Sequence, residues 1–314
     1  MNPVYLGIDG GQSSTTALVG DASGRVIGYG RGGPCNHVEG PEGREKFLAA
    51  VRTSLEQACR MAGVEPLFRA CCGGFSGGAA DKETLFVEAV QAEKYLVTHD
   101  ALIALAGATA GEPGIIVVAG TGSIAFGRNA AGKTARAGGW GYVFGDEGGG
   151  FDLTRQALRA ALRWEEGWGP ATALHGALLK ATGTASANEL LHRFYTVAYS
   201  RPQIASYAQL VDEVASHGDP IAREILGHAA QQLAALAGAV RRQLFAEGER
   251  IPVAYIGGVW RSGLLRERFR QLVELEPGNV VSAPAYGPAA GALIEAYRAD
   301  NREVTLKDVP EFVK

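Results

Sequence analysis

The chain has 314 residues, 46% of them hydrophobic and 20% charged, with a formal net charge of −3. That balance excludes a disordered chain, and the lack of a basic excess argues against nucleic acid as a partner. The length sets a prior of two domains.

No uncharged apolar run reaches ~18 residues, and Met1-Asn2-Pro3 opens no export signal, so no membrane contact and a cytoplasmic location are expected. The four cysteines, Cys35, Cys59, Cys71 and Cys72, contain no CxxC pair and read as buried, reduced thiols.

In chain order, Val4–Ile8 reads as a buried strand, Asp9–Ser14 as a Gly-rich turn and Thr15–Gly20 as a second strand. A turn at Asp21–Gly24 leads to a third strand, Arg25–Gly30. Helical periodicity follows over Glu42–Gly63, with Phe47, Leu48, Val51, Leu55, Ala58 and Cys59 on one face. Phe68–Cys72 is a strand, Gly73–Gly78 a loop, Lys82–Glu93 a helix and Tyr95–Val97 a short strand. That strand delivers Thr98-His99-Asp100 to a small-residue helix, Ala101–Ala110.

The opening pattern then restarts. Ile115–Ala119 is a strand, Gly120-Thr121-Gly122 a turn, Ser123–Gly127 a strand and Asn129–Gly132 a turn. The spacing from Gly11 to Gly122 nearly equals that from Gly24 to Gly132, which marks one internal duplication. An amphipathic helix runs through Leu226, Leu233, Val240 and Leu244. A strand at Val253–Gly257 and a helix at Pro288–Arg298 follow. This is an α/β chain of two similar domains, 1–112 and 113–314, with the option that the last helix packs back on the first.

Three motif matches fail on context. Gly127–Thr134 fits GxxxxGK[ST], but no helix follows, so a hairpin turn is expected. Gly28–Gly33 fits GxGxxG but runs into Pro34. Gly74–Gly78 fits the nucleophile elbow GxSxG, which would need partners such as Asp146 and His217.

The surviving motifs handle phosphate and hydroxyl groups. Gly10 and Gly11 let backbone N–H groups approach a phosphate, and Ser13 can donate as well. Asp9 at the mouth of that turn would repel phosphate unless Mg²⁺ lay between, held through water. Gly120-Thr121-Gly122-Ser123 repeats the arrangement. Between Gly138 and Gly150 lies the densest glycine stretch, carrying Asp146 and Glu147 as acceptors for sugar hydroxyls.

These motifs resemble, in order and over nearly the whole chain, the N-acetylglucosamine kinase family of the BadF/BadG/BcrA/BcrD ATPase group. The match rests on Asp9-Gly10-Gly11, the Asp100 segment, Gly120–Ser123, the Trp140–Gly150 loop and Tyr255–Ser262. The resemblance implies the two-domain, ribonuclease H-like fold of actin, Hsp70 and sugar kinases, with ATP and Mg²⁺ in an interdomain cleft. It places ATP contacts on the first hairpin (Gly10, Gly11, Ser13, Ser14), on the second (Gly120, Thr121, Gly122), on Gly257-Gly258 at the adenosine side and on Ala215. Sugar contacts fall on Asn36, Asp100, Ser123, Trp140, Gly141 and Asp146.

Asp100 is the expected base that takes the proton of the sugar hydroxyl, and helix N-cap, a common role for Asp, is the plainer alternative. N-acetylglucosamine phosphorylated at O6 is the expected reaction, glucosamine and N-acetylmuramic acid are alternatives, and a homodimer is expected. A different class remains open: an ATPase that activates a partner redox enzyme through an iron–sulfur cluster, for which Cys71 and Cys72 would be the nearest ligands.

Overall fold

The computed structural model describes residues 2–35, 38, 40–77, 81–197 and 199–313. The chain divides into two units, Met1–Pro113 with Pro284–Lys314, and Gly114–Ala283. The final segment therefore groups with the first unit.

The first unit opens with β1 (Val4–Gly10), β2 (Thr15–Asp21) and β3 (Val26–Gly32), then α1 (Gly40–Ala62) and a short β4 (Leu67–Phe68). It continues through β5 (Ala70–Phe75), α2 (Glu83–Ala89), a short β6 (Gln91–Ala92), β7 (Tyr95–His99) and α3 (Asp100–Ala108). The second unit contains β8 (Gly114–Ala119), β9 (Ser123–Arg128), β10 (Thr134–Gly138), α4 (Gly150–Glu165), α5 (Ala173–Thr182), α6 (Ala187–Phe194), α7 (Arg201–Ser206) and α8 (Ala208–Ser216). After these come α9 (Pro220–Leu244), β11 (Ile251–Ile256), a 3-10 turn at Gly258–Arg261, α10 (Gly263–Val273) and β12 (Asn279–Ser282). The last helix, α11 (Pro288–Ala299), belongs to the first unit.

Each unit holds a five-stranded sheet of the same plan: β3-β2-β1-β5-β7 in one and β10-β9-β8-β11-β12 in the other. In both, the first strand is antiparallel to its hairpin partner and parallel to the strand on its other side. Crossover connections between parallel strands need helices, and α1 on one face with α11 on the other explains why β1 is apolar almost throughout.

Glycine sets how closely those helices approach. Gly28, Gly30 and Gly32 of β3 face α1, where added Cβ atoms would stand 2.2, 2.0 and 2.1 Å from the carbonyl oxygens of Ala58, Ser54 and Ala50. The GxGxxG match is therefore a packing stripe. On the other sheet face a Cβ at Gly7 would meet the Leu293 nitrogen of α11 at 2.2 Å. Within the α11–α3 contact a Cβ at Gly291 would stand 1.8 Å from the Ile103 carbonyl oxygen.

Two segments differ from the sequence reading. The expected loop at Gly73–Gly78 begins later, because Gly73 and Gly74 stay in β5, paired with Ile8 and Asp9 on one side and Val97 and Thr98 on the other. A Cβ at Gly74 would strike the Ile103 side chain at 2.4 Å, so its glycine admits α3 rather than marking a turn. The expected helix Lys82–Glu93 ends at Ala89, where Val90 turns extended and Gln91–Ala92 pairs with Leu67–Phe68.

Cys71 packs into the core beneath α1, while Cys72 packs into the core beneath α11, so the two side chains lie on opposite faces of one sheet. They cannot share a metal ion. Burial pushes the Cys71 thiol up to about 12. Among the described residues no helix is long and apolar enough to cross a membrane.

The α11 contact predicts a sharp asymmetry. Gly291→Ala must force a backbone carbonyl aside and should destabilise the chain by about 3 kcal/mol. Gly176→Ala in α5, with nothing within 4 Å of the added Cβ, should stabilise by about 0.5–1 kcal/mol through helix propensity. Urea melts of both variants check this, and equal midpoints would remove the packing argument.

Candidate functional site

In the first unit, β1 ends in Asp9-Gly10 between Thr16-Thr15 of β2 and Gly74-Phe75 of β5. The hairpin turn is closed by the Gly11 N–H donating to the Ser14 carbonyl at 2.9 Å, and the Cys35 N–H donates to the Gly11 carbonyl at 3.2 Å. Gln12, Ser13 and Ser14 stand exposed at the tip. Gly10 differs from expectation: its missing Cβ would collide with the Phe75 ring at 2.4 Å and the Cys35 sulfur at 2.5 Å, so it serves packing rather than ligand approach.

Asp9 has no hydrogen bond or ion pair among the described residues. Burial, with the nearby Asp100 charge adding to it, pushes its carboxyl up to about 6. A carboxylate held so, without donors, suits a hydrated divalent cation, which Mg²⁺ binds through one or two carboxylates and retained waters.

Asp100 is the first residue of α3 and is exposed. The helix N-cap is its neighbour His99, whose Nδ1 accepts from the Leu102 N–H at 3.2 Å. Asp100 is thus free of the capping role and instead accepts from the Ser76 hydroxyl at 3.0 Å through Oδ2. The Ser76 N–H in turn donates to the Gly10 carbonyl at 3.1 Å, which ties Asp100 to the end of β1. Ser76 is the serine of the GxSxG match, and its partner is a carboxylate instead of a histidine. Lys82 is also brought here: it is 3% exposed, pairs with Asp81 at 3.0 Å and acts electrostatically on the Cys35 thiol. Asn36 lies outside the described residues.

In the second unit the turn Gly120–Ser123 is stitched to the glycine-rich loop. Gly150 and Phe151 donate backbone N–H groups to the Gly120 and Thr121 carbonyls at 2.8 and 3.1 Å, and Gly139 donates to the Ser123 carbonyl at 3.0 Å. The Ser123 hydroxyl donates to the Glu147 carbonyl at 2.6 Å, so it holds the loop and is spent internally. A Cβ at Gly122 would stand 2.2 Å from the Asp146 carboxylate, which makes that glycine the seat of Asp146. Asp146 itself adopts φ +61°, a left-handed backbone costly for a non-glycine residue and often found at working sites. Trp140 is 65% exposed, and Gly141 beside it has φ +80°.

A cavity of about 440 Å³ opens beside this turn, lined by Gly120, Thr121, Asp212, Gly258, Arg261 and Ser262 among others. Gly258 has open space where a Cβ would be, whereas Gly257, at φ +118°, closes β11 onto Ala119 of β8. Ser262 caps α10 and donates to Asp212. Asp212, mid-helix in α8 and without a motif around it, gave no sequence signal. Ala215 is not brought to this cavity. It is fully buried, and its carbonyl is taken by the Gly218 N–H at 3.0 Å and Arg223 at 2.9 Å.

The segment matching GxxxxGK[ST] is a hairpin turn: the Gly132 N–H donates to the Asn129 carbonyl and the Lys133 N–H to the Asn129 side chain, both at 3.0 Å. Its lysine reaches the Gln243 carbonyl at 3.3 Å.

A family model described as the BadF/BadG/BcrA/BcrD ATPase family matches residues 6–296. An N-acetylmuramic acid/N-acetylglucosamine kinase of Clostridium acetobutylicum is 30% identical over 299 residues, covering 93% of this chain and 97% of that protein. An N-acetyl-D-glucosamine kinase of Dictyostelium discoideum is 28% identical, with the same two coverages. Among solved structures, a candidate N-acetylglucosamine kinase from Chromobacterium violaceum superposes with a TM-score of 0.72 at 28% identity, covering 93% of this chain and 98% of that one. A ROK family glucokinase from Streptomyces griseus shares the fold, with a TM-score of 0.55 at 18% identity over 95% of this chain and all of its own.

The raised Asp9 value fixes a sign for stability in metal-free buffer. Below the unfolded value of 3.8 the carboxyl is protonated in both states and costs nothing, and the cost grows as pH rises through about 6. Asp9→Asn carries no such cost at any pH. Its melting temperature should exceed wild type at pH 8, by at most about 3 kcal/mol in stability, with the gap closing near pH 4. Parallel curves at both pH values would show that Asp9 is not held as described.

Proposed function

This chain belongs to the BadF/BadG/BcrA/BcrD ATPase family, and we propose that it is an ATP-dependent kinase that moves the γ-phosphoryl group to a hydroxyl of an amino sugar, N-acetylglucosamine at O6. The observation that carries the reading is Asp100: an exposed carboxylate at a helix start, relieved of capping by His99 and fixed by Ser76. The relatives named above, kinases of N-acetylated amino sugars, support the acceptor class.

Phosphoryl transfer leaves a protein little covalent chemistry and much positioning. The Ser76 hydroxyl occupies Oδ2 of Asp100, which leaves Oδ1 to accept the proton of the attacking sugar hydroxyl as its oxygen bonds to the γ-phosphorus and the bond from that phosphorus to the bridging oxygen breaks, releasing ADP. Asp146, seated on Gly122, would accept a hydrogen bond from another sugar hydroxyl and set the ring's orientation. The exposed tip Ser13-Ser14 and the turn at Thr121 would donate to phosphate oxygens. The cavity beside Gly258 would take the nucleoside. Asp9 would hold Mg²⁺ through water, and the ion's chemistry there is neutralisation of phosphate charge. The proposal extends to a homodimer acting in the cytoplasm, its assembly checked by light scattering on the purified chain.

Coupled ADP-release assays with N-acetylglucosamine, glucosamine, N-acetylmuramic acid and glucose test the reading. ADP release should depend on an amino sugar, and equal release with and without each sugar would overturn the kinase assignment.

Asp100→Asn tests the mechanism. General-base assistance contributes ~10²–10⁴-fold, so kcat should fall in that range with ATP affinity nearly unchanged. Folding should survive, because His99 supplies the cap. A kcat within threefold of wild type at saturating sugar would remove Asp100 from the chemistry.

A further inference from the structure

A larger cavity of about 830 Å³ lies elsewhere in the second unit, walled by α4 and α9 with Arg268 of α10 contributing. It is separate from the cavity beside Thr121: Leu226 of α9 lines that one, while Ile225 and His228 of the same helix line this one.

Its charge pattern is unusual for a solvated helix face. Arg155, Arg159 and Arg163 recur at four-residue spacing on α4, where neighbouring like charges disfavour the helix. Arg155 is neutralised by Asp152 at 2.6 Å, outside the cavity lining. The Arg163 guanidinium stacks over the Trp168 ring at 4.9 Å. Arg159 has no hydrogen bond or ion pair among the described residues. Arg159, Arg163 and Arg268 line the cavity against a single carboxylate, Glu224, in a chain whose net charge is negative. Planar guanidiniums bind phosphate oxygens in bidentate pairs, and three of them against one carboxylate match the nearly double charge of a phosphate monoester better than the single charge of a carboxylate. The volume exceeds what a bare phosphate ion fills and falls in the range of organic-ligand sites. Ala160 and Ile225 supply apolar wall for a carbon body.

We propose that this cavity binds a small organic phosphate monoester, its phosphate among Arg159, Arg163 and Arg268 and its body against Ala160 and Ile225. None of these residues belongs to the groups assigned to ATP or sugar, so the site stands or falls independently of the kinase reading.

Calorimetric titration of the full chain with glucose 6-phosphate and, separately, inorganic phosphate tests it. Glucose 6-phosphate should bind, and more tightly than inorganic phosphate. The double variant Arg159→Glu/Arg268→Glu should weaken that binding at least tenfold, while Glu224→Gln, which removes the one opposing charge, should tighten it severalfold. Both variants should keep the wild-type KM for ATP and for the amino sugar, which separates this site from the catalytic groups. Binding of glucose 6-phosphate that neither variant alters would overturn the proposal. Inorganic phosphate binding as tightly as the monoester would also overturn it, since the cavity body would then contribute nothing. Should the double variant fail to fold, the Glu224→Gln arm decides alone: tighter binding sustains the site and unchanged binding ends it.

Discussion

The first unit depends on how closely α11 lies against β1 and α3. Gly7 on the strand, Gly291 on α11 and Gly107 on α3 leave no room for a Cβ, and the nearest atoms they would strike are backbone. Backbone cannot swing aside as a side chain can, so this contact has one geometry or none. It also fixes the chemistry. β1 carries Asp9 at its end and α3 begins with Asp100, so the helix that locks both elements sets where the two carboxylates sit. The hydroxyl of Tyr297 on α11 donates to the Asp21 carbonyl at the far end of β2, which holds the hairpin's base while its tip stays exposed.

The second unit reaches a comparable rigidity by different means. Its hairpin turn is held by backbone hydrogen bonds from the first residues of α4 and by the Ser123 hydroxyl, not by a returning helix. Those bonds consume N–H groups at the α4 terminus that would otherwise be available to an anion. On the proposed reading, phosphate contact there would fall to the turn itself. The strained backbone at Asp146 is stabilised by the same stitching, with the Gly149 N–H donating to the Asp146 carbonyl at 3.0 Å. Strain of this kind persists only where surrounding structure over-determines it.

Much of this was legible in the sequence because the strands and the glycine turns are local signals. The buried run Val4–Ile8 and its counterpart Ile115–Ala119 need no tertiary information to read as strands. What was not legible is what each glycine is for. Gly10 looks like a phosphate-approach glycine and instead clears the Phe75 ring. Gly74 looks like a turn and instead admits Ile103. Gly28, Gly30 and Gly32 look like a dinucleotide motif and instead seat α1. A glycine's purpose is set by the atom nearest its missing side chain, and that atom is usually distant in sequence. Ala215, buried and not among the residues lining that cavity, shows a related limit: a short motif near Gly218-Asp219-Pro220 locates a helix junction but not which helix face meets the cavity.

The same limit applied to Asp100, where an Asp at a helix start can be read as a cap as well as a base. The structure removes the cap reading through a neighbour, since one helix terminus takes one N-cap and His99 has it. Asp100 then sits at the first helical position, where the helix dipole favours its negative charge. Asp9 has no such support: burial, with the nearby Asp100 charge adding to it, pushes it toward protonation. On the proposed reading the two carboxylates would divide the labour: Asp100, exposed and held by Ser76, would receive the proton, and Asp9, destabilised as an anion by its burial, would gain most from a cation. A nucleotide polyphosphate brought next to Asp9 would raise its cost further. On the proposed reading the arrangement would become favourable only when the anionic substrate arrives with positive charge, so a metal–nucleotide complex would be preferred to the nucleotide alone.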